Sequence, residues 1–327
     1  MMRVMLPLTL AILVLFATSL FIGPARIGLG DSINALLEGG DSPMALVMRE
    51  IRLPRALLAV MIGASLGLAG AAMQGYLRNP LAEPGLIGVS GSAAFGAVLS
   101  IQTGLAAGFA LALPFSALAG ALGGVLLVML LAGPRGTSLT LILAGIAVSA
   151  LAAALTSLVL NLSPNPFAAS EIIFWMMGSL ADRSMTHVWL ALPLMGVGWL
   201  LLAGLGKGLD ALTLGEDAAQ AMGIRVERLR LMLIVGVACV VGAGTAVAGA
   251  IGFVGLVVPH ILRPLVGARP SRLLWASALG GAVMLLLADI AVRVVLPERD
   301  LKLGVLTALV GAPLFLHLIL KLRRERI

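Results

Sequence analysis

Charged side chains are scarce in this chain, so the few inside apolar stretches are the first candidates for chemistry. Of 327 residues, 11% are charged and 60% hydrophobic. Asp289 and Arg293 stand four apart within an apolar run, the spacing at which each neutralises the other on one helix face. They read either as a satisfied internal pair near a membrane boundary or as part of a functional site. Arg52 and Arg55, three apart and therefore on one face, head another apolar run. They suit snorkelling to lipid headgroups or holding carboxylates of an external protein, for which guanidinium forks are well shaped. Glu83 and Asp289 are the carboxylates that an ion-gradient-driven carrier would use to move protons.

Other chemistries lack their residues. His187, His260 and His317 share no ligand spacing and read as packing or interface residues, not metal or haem ligands. The single cysteine, Cys239, lies in an apolar run, which leaves no disulfide within the chain and no thiol metal site. The only Gly-Lys pair, Gly206-Lys207, is followed by Gly208, so no G-x-x-x-x-G-K-[ST] loop binds ATP here. Paired catalytic carboxylates and a nucleophile elbow are missing too. The expectation is a chain without enzyme activity that binds no metal or cofactor itself and has no nucleic-acid partner.

The elements that must position these residues are membrane helices. A mean hydropathy of +1.11 leaves too little polar surface to cover a soluble core of this size. A hydrocarbon core of about 30 Å takes about 20 apolar residues per helix, and that length divides the chain into ten spans forming one all-α polytopic membrane domain over residues 1–327. The first, 4–23, is too long for a signal-peptide core and reads as a retained helix. Residues 24–51 read as lying outside, and span two covers 54–77. RNPLAEPG at 78–85, with two prolines, is a turn. Spans three to five are 86–103, 107–131 and 139–160, with the loop GPRGTS between the last two. EIIFWMMGSL at 171–180 is too short to cross and reads as a surface or re-entrant helix; span six is 188–205. Residues 231–262 would make one helix of about 48 Å, so they are divided at Gly249, Gly252 and Gly255, with Pro259 expected to open a short eighth span. Spans nine and ten are 273–296 and 303–320, and Trp189 and Trp275 near span ends suit interfacial anchors.

One polar island interrupts this pattern. Residues 207–230 are about one third charged, the largest segment expected in water. Thr213 and Glu216 have capping-box spacing, and Gly223 supplies a left-handed stop with Ile224 folding back. Between them Leu214, Ala218, Ala221 and Met222 form a narrow apolar stripe suited to a groove in another protein. The plainer alternative is a helix lying on lipid headgroups, against which stand the acidic Glu216 and Asp217.

With both termini inside, 14 of the 22 Lys and Arg residues fall in internal segments, which places residues 207–230 in the cytoplasm. An offset of 179 residues aligns Gly63 with Gly242, residues 69–71 with 248–250, Pro80 with Pro259 and Gly88 with Gly267. This weak inverted repeat, about 54–160 against 231–320, is the plan of transporters whose path lies between the copies. Small residues at 63, 67, 70, 71 and 75 let span two approach its neighbours closely.

RLPR at 52–55, RNPLAEPG with GVS at 78–90, GFVGLVVPHILRPLVG at 252–267 and LGVLTALVGAPLFLHLI at 303–319 closely resemble the FecCD family, over nearly the whole chain. These are permease subunits of type II ABC importers for ferric siderophores, haem and cobalamin. The resemblance implies a BtuC-like fold and a homodimer in the bacterial inner membrane. Two ATPase subunits would bind ATP and Mg, and a periplasmic binding protein would deliver an iron chelate or, alternatively, cobalamin. It implies that the coupling residues are Thr213, Leu214, Glu216, Asp217, Ala218, Ala221, Met222 and Gly223, and that Arg52, Arg55 and Arg293 meet carboxylates of the binding protein. Lys302 departs from a proline common in the family.

Overall fold

The computed structural model describes residues 2–23, 30, 42–109, 111–133, 137–163, 166–295 and 301–324. The described part is helical throughout: α1 (Met2–Phe21), α2 (Leu53–Leu77), α3 (Val89–Gln102), α4 (Ala112–Ala132), α5 (Ser138–Asn161), α6 (Pro166–Met176) and α7 (Met185–Ala203). Two short helices follow, α8 (Gly206–Leu212) and α9 (Glu216–Ala221), then α10 (Val226–Ala248), α11 (Val254–Leu262), α12 (Pro270–Val295) and α13 (Leu303–Arg324). Among the described residues seven helices are long and apolar enough to cross a membrane. Shorter apolar helices lie at Val89–Gln102 and Leu303–His317, where spans three and ten are expected, and α11, at nine residues, is too short to cross by itself where the eighth span is expected.

Several boundaries differ from the sequence expectation, among them α6, which runs Pro166–Met176 rather than 171–180, and α10, which begins at Val226 inside the polar island. Helix begins at Pro43, inside the stretch assigned to the outside, and runs through a π turn (Val47–Arg52) into α2. Ser42 caps it, its Oγ accepting from Ala45 N–H at 3.2 Å, and Pro43 sits at the first position. Span four starts at Ala112, after a single helical turn at Leu105–Gly108. The eighth span starts at Val254, so Pro259 is internal to α11 rather than its first residue. Proline removes the N–H that would bond Gly255 O. Gln74 Nε2 donates to that carbonyl at 3.4 Å and to Leu256 O at 3.2 Å, replacing what the ring removes. The GPRGTS residues 134–136 and the outer-loop residues 296–300 lie outside the described residues.

The most deeply buried spans are α2 and α10, and α2 packs most extensively on α12. That contact is backbone against backbone. A Cβ added at Gly63 or Gly67 would overlap Gly281 O or Ser277 O, and one at Gly281 would overlap Gly63 O. Gly70 faces Gly255 of α11 in the same way. Lipid offers no apolar driving force between helices, so such close approach is what holds them, by dispersion. Trp199 of α7 adds a hydrogen bond, Nε1 donating to Ser65 Oγ at 2.8 Å.

Candidate functional site

At one end of α12 the sequence's isolated charges meet. Asp289 is fully buried and pairs with Arg55 Nε and Arg293 Nη2, each at 2.8 Å. The i, i+4 pair expected from spacing is therefore present, with Arg55 of α2 as an added partner. Arg293 and Arg52 also donate to the end of α1. Arg293 Nη1 donates to Ser19 O at 2.8 Å and Ile22 O at 2.7 Å, and Nη2 to Ser19 Oγ at 2.5 Å. Arg52 Nη1 donates to Leu20 O at 2.9 Å and Phe21 O at 3.3 Å. These carbonyls end a helix and lack intrahelical donors, and the negative end of the helix dipole favours cations there. The structure thus brings Arg52, Arg55 and Arg293 into one cluster, in which Asp289 pairs with Arg55 and Arg293. The side chains of Arg55 and Arg293 are only 17% and 7% exposed. Ser19 and the α1 carbonyls were missed in the sequence, where backbone acceptors leave no signal.

The polar island lies at the opposite end of α12. Its expected capping box is not formed. Thr213 ends α8, its Oγ1 donating to Asp210 O at 2.7 Å, and Gly215, with φ of 108°, precedes Glu216, the first residue of α9. The left-handed glycine separates the two cap partners, so α9 starts two residues later than expected. Its stop is as expected. Gly223 has φ of 82°, Gly223 N–H donates to Gln220 O at 2.9 Å, and Ile224 N–H donates to Ala219 O at 3.0 Å, the paired bonds of a Schellman motif. Ala219 is buried against the body, while Ala221, Leu214 and Met222 are exposed and Ala218 is half-buried. Glu216 and Asp217 occupy the first turn, where the helix dipole favours acids. The island is less free than its composition suggested, because Leu209, Leu212 and Arg230 are buried.

Asp210 of α8 was not among the sequence candidates. Its Oδ1 accepts from Ser271 N–H at 2.8 Å, and its Oδ2 accepts from Ser271 Oγ and Arg269 Nε, each at 2.7 Å. Burial alone would raise the Asp210 carboxyl. The Ser271 N–H, Arg269 and the Ser271 hydroxyl outweigh it and hold the group below the usual carboxylate range. A faint signal existed in the sequence: Pro270 suits a first helical position, but Arg269 before it cannot accept, so the cap must come from elsewhere.

Between the two ends, Glu83 Oε1 accepts from Phe253 N–H at 2.8 Å and so holds the start of α11. Phe253 has φ of 67°, a left-handed conformation unusual for an aromatic residue. A cavity of about 150 Å³ lies beside Glu83, lined also by Pro84, Ser90, Val241 and Ile251. Both carboxylates considered for proton transport are thus engaged, Glu83 by an amide and Asp289 by two arginines. His187 helps cap α7, its Nδ1 accepting from Ser184 N–H at 3.2 Å. Among the described residues no group of three or more His, Cys, Asp or Glu could hold a metal ion.

Comparison with known proteins places this geometry. The model of the FecCD transport family matches residues 10–321. The vitamin B12 import system permease protein BtuC of Salmonella paratyphi A is 40% identical over 322 residues, covering 97% of this chain and 95% of BtuC. The ABC transporter permease protein YvrB of Bacillus subtilis (strain 168) is 39% identical over 305 residues, 91% of this chain and 84% of YvrB. A solved inward-facing structure of a metal-chelate type ABC transporter superposes with a TM-score of 0.87 at 34% identity, covering 98% of this chain and 100% of that one. PsaBC from Streptococcus pneumoniae, at 16% identity and a TM-score of 0.55, shares the fold.

Proposed function

The chain belongs to the FecCD transport family, ABC importer permeases without catalytic activity of their own, and on that premise we propose that it moves an iron chelate, a ferric siderophore or haem, across the bacterial inner membrane. The observation that carries the mechanism is the pair of uncovered apolar side chains flanking α9. Leu214 and Met222, large apolar side chains 69% and 62% exposed beside a rigidly stopped helix, suit a groove in a second protein. In this reading two copies of the chain line the path, and an ATPase subunit seats α9 of each. Binding and hydrolysis of ATP with Mg there shift α9, and the path opens alternately to either side.

In this reading both termini lie in the cytoplasm, supported by the basic-residue bias. A periplasmic protein delivers the chelate to the opposite face. The cluster of Arg52, Arg55 and Arg293 is its proposed docking point, supported by the gathering of three guanidinium groups at the end of α12 opposite α9. The inverted repeat is retained, supported by the central burial of α2 and α10, on which its matched residues begin.

Cobalamin, itself a large metal chelate, is the second reading, favoured by the 40% identity to a vitamin B12 permease across nearly the full length. Uptake of radiolabelled ferric siderophore, haem and cyanocobalamin by proteoliposomes holding the permease, its ATPase and its binding protein decides between them. Uptake of iron chelate alone supports the first reading and uptake of cyanocobalamin alone the second. Accumulation by the permease by itself on an ion gradient would remove both.

A further inference from the structure

α12 begins without a cap of its own. The Arg269 carbonyl accepts from Arg272 N–H and Leu273 N–H, which places Arg269 where a helix wants a side-chain acceptor, and its guanidinium offers only donors. The acceptor arrives from 61 residues away, as the Asp210 carboxylate of α8. Asp210 is 19% exposed, and both its oxygens are engaged by Ser271, one by the amide and the other by the hydroxyl. The ion pair with Arg269 is a minor part of this, since Arg269 is 58% exposed and its charge is screened.

We propose that Asp210 is a positioning residue that ties α8–α9 to α12, so that a displacement imposed on α9 is passed to α12 and along it to the arginine cluster. The proposal rests on the reading of α9 as the ATPase contact. Three residues separate α8 from α9, so the Asp210 carboxylate lies one short connection from the stripe. α12 spans the body to Asp289 and Arg293, and its backbone-to-backbone contact with α2 at Gly63, Gly67 and Gly281 leaves little play between the two. A push at the Ser271 end therefore moves a packed helix pair.

The simpler role, a cap that only stabilises α12, is separable by experiment. Asp210→Ala removes both cap and tie, whereas Asp210→Ala with Arg269→Asp restores an acceptor at the head of α12 without linking it to α8. In proteoliposomes of the complete complex, both variants are expected to hydrolyse ATP. Transport per ATP should fall about tenfold in each, within the usual range of coupling between sites. The thermal midpoint should drop in the single variant and recover in the double one. Asp210→Asn, which keeps an acceptor for the Ser271 amide, should retain most transport.

Recovery of transport along with stability in the double variant would overturn the proposal, leaving Asp210 a cap. So would unchanged transport per ATP in Asp210→Ala. Ala218→Glu, run in parallel, isolates the underlying reading: if that variant keeps its ATPase subunits and its transport, the fault lies in the α9 contact and not in the tie.

Discussion

Arg55 and Asp289 stand 234 residues apart in the chain and meet at 2.8 Å, where Asp289 is wholly shielded from solvent. The pair joins α2 to α12 at the end where Arg293 and Arg52 gather the last carbonyls of α1. A buried pair of this kind does not by itself raise stability much over an apolar substitute, but removing one partner strands the other. Three helices thus depend on one carboxylate.

Asp289→Ala leaves two arginines facing each other without an anion, and the expected loss is about 3–5 kcal/mol. Arg55→Ala should cost less, because Arg293 still compensates Asp289 at 2.8 Å. Thermal unfolding of the detergent-solubilised permease checks the order. A smaller loss in Asp289→Ala than in Arg55→Ala contradicts it.

Gly67→Val places a side chain where Ser277 O already lies, forcing α2 and α12 apart. Overpacking of this sort costs about 1–3 kcal/mol, more where backbone must shift. Gly196→Ala is the control, since its added carbon meets nothing within 4 Å. Folded yield from membranes should fall for the first and hold for the second.

Ala218→Glu and Ala221→Glu put charge into the stripe of α9 and are expected to abolish uptake and co-purification of the ATPase subunits. The permease itself should remain folded, because Ala221 is exposed and Ala218 half-buried. Retained uptake in both would count against docking at this helix.

The Asp210 carboxyl, held below the ordinary range, gives a sign to the pH dependence. With the folded pKa below the unfolded value of about 3.9, its contribution is complete above about pH 5 and is lost as the pH falls through the folded value. Asp210→Asn has no such contribution to lose. The gap in unfolding midpoint between wild type and Asp210→Asn should therefore be constant near neutrality and shrink toward about pH 3.

Chain order alone determined the approximate limits of the seven long spans, because backbone in lipid must satisfy its own hydrogen bonds and only long apolar helices can do so. It also determined the stop at Gly223 and the pairing of Asp289 with Arg293, both decided within one turn of helix. Local rules failed where a glycine intervened, as Gly215 did between Thr213 and Glu216. They failed too where a distant side chain replaced a missing bond, as Gln74 does behind Pro259. Tertiary structure alone decided that Asp210 caps Ser271, that Glu83 holds Phe253, and that Arg52 and Arg293 close the end of α1. Helical periodicity says which face a residue occupies but carries no information about which helix that face will meet. Those partners are set by where small residues allow two backbones to touch.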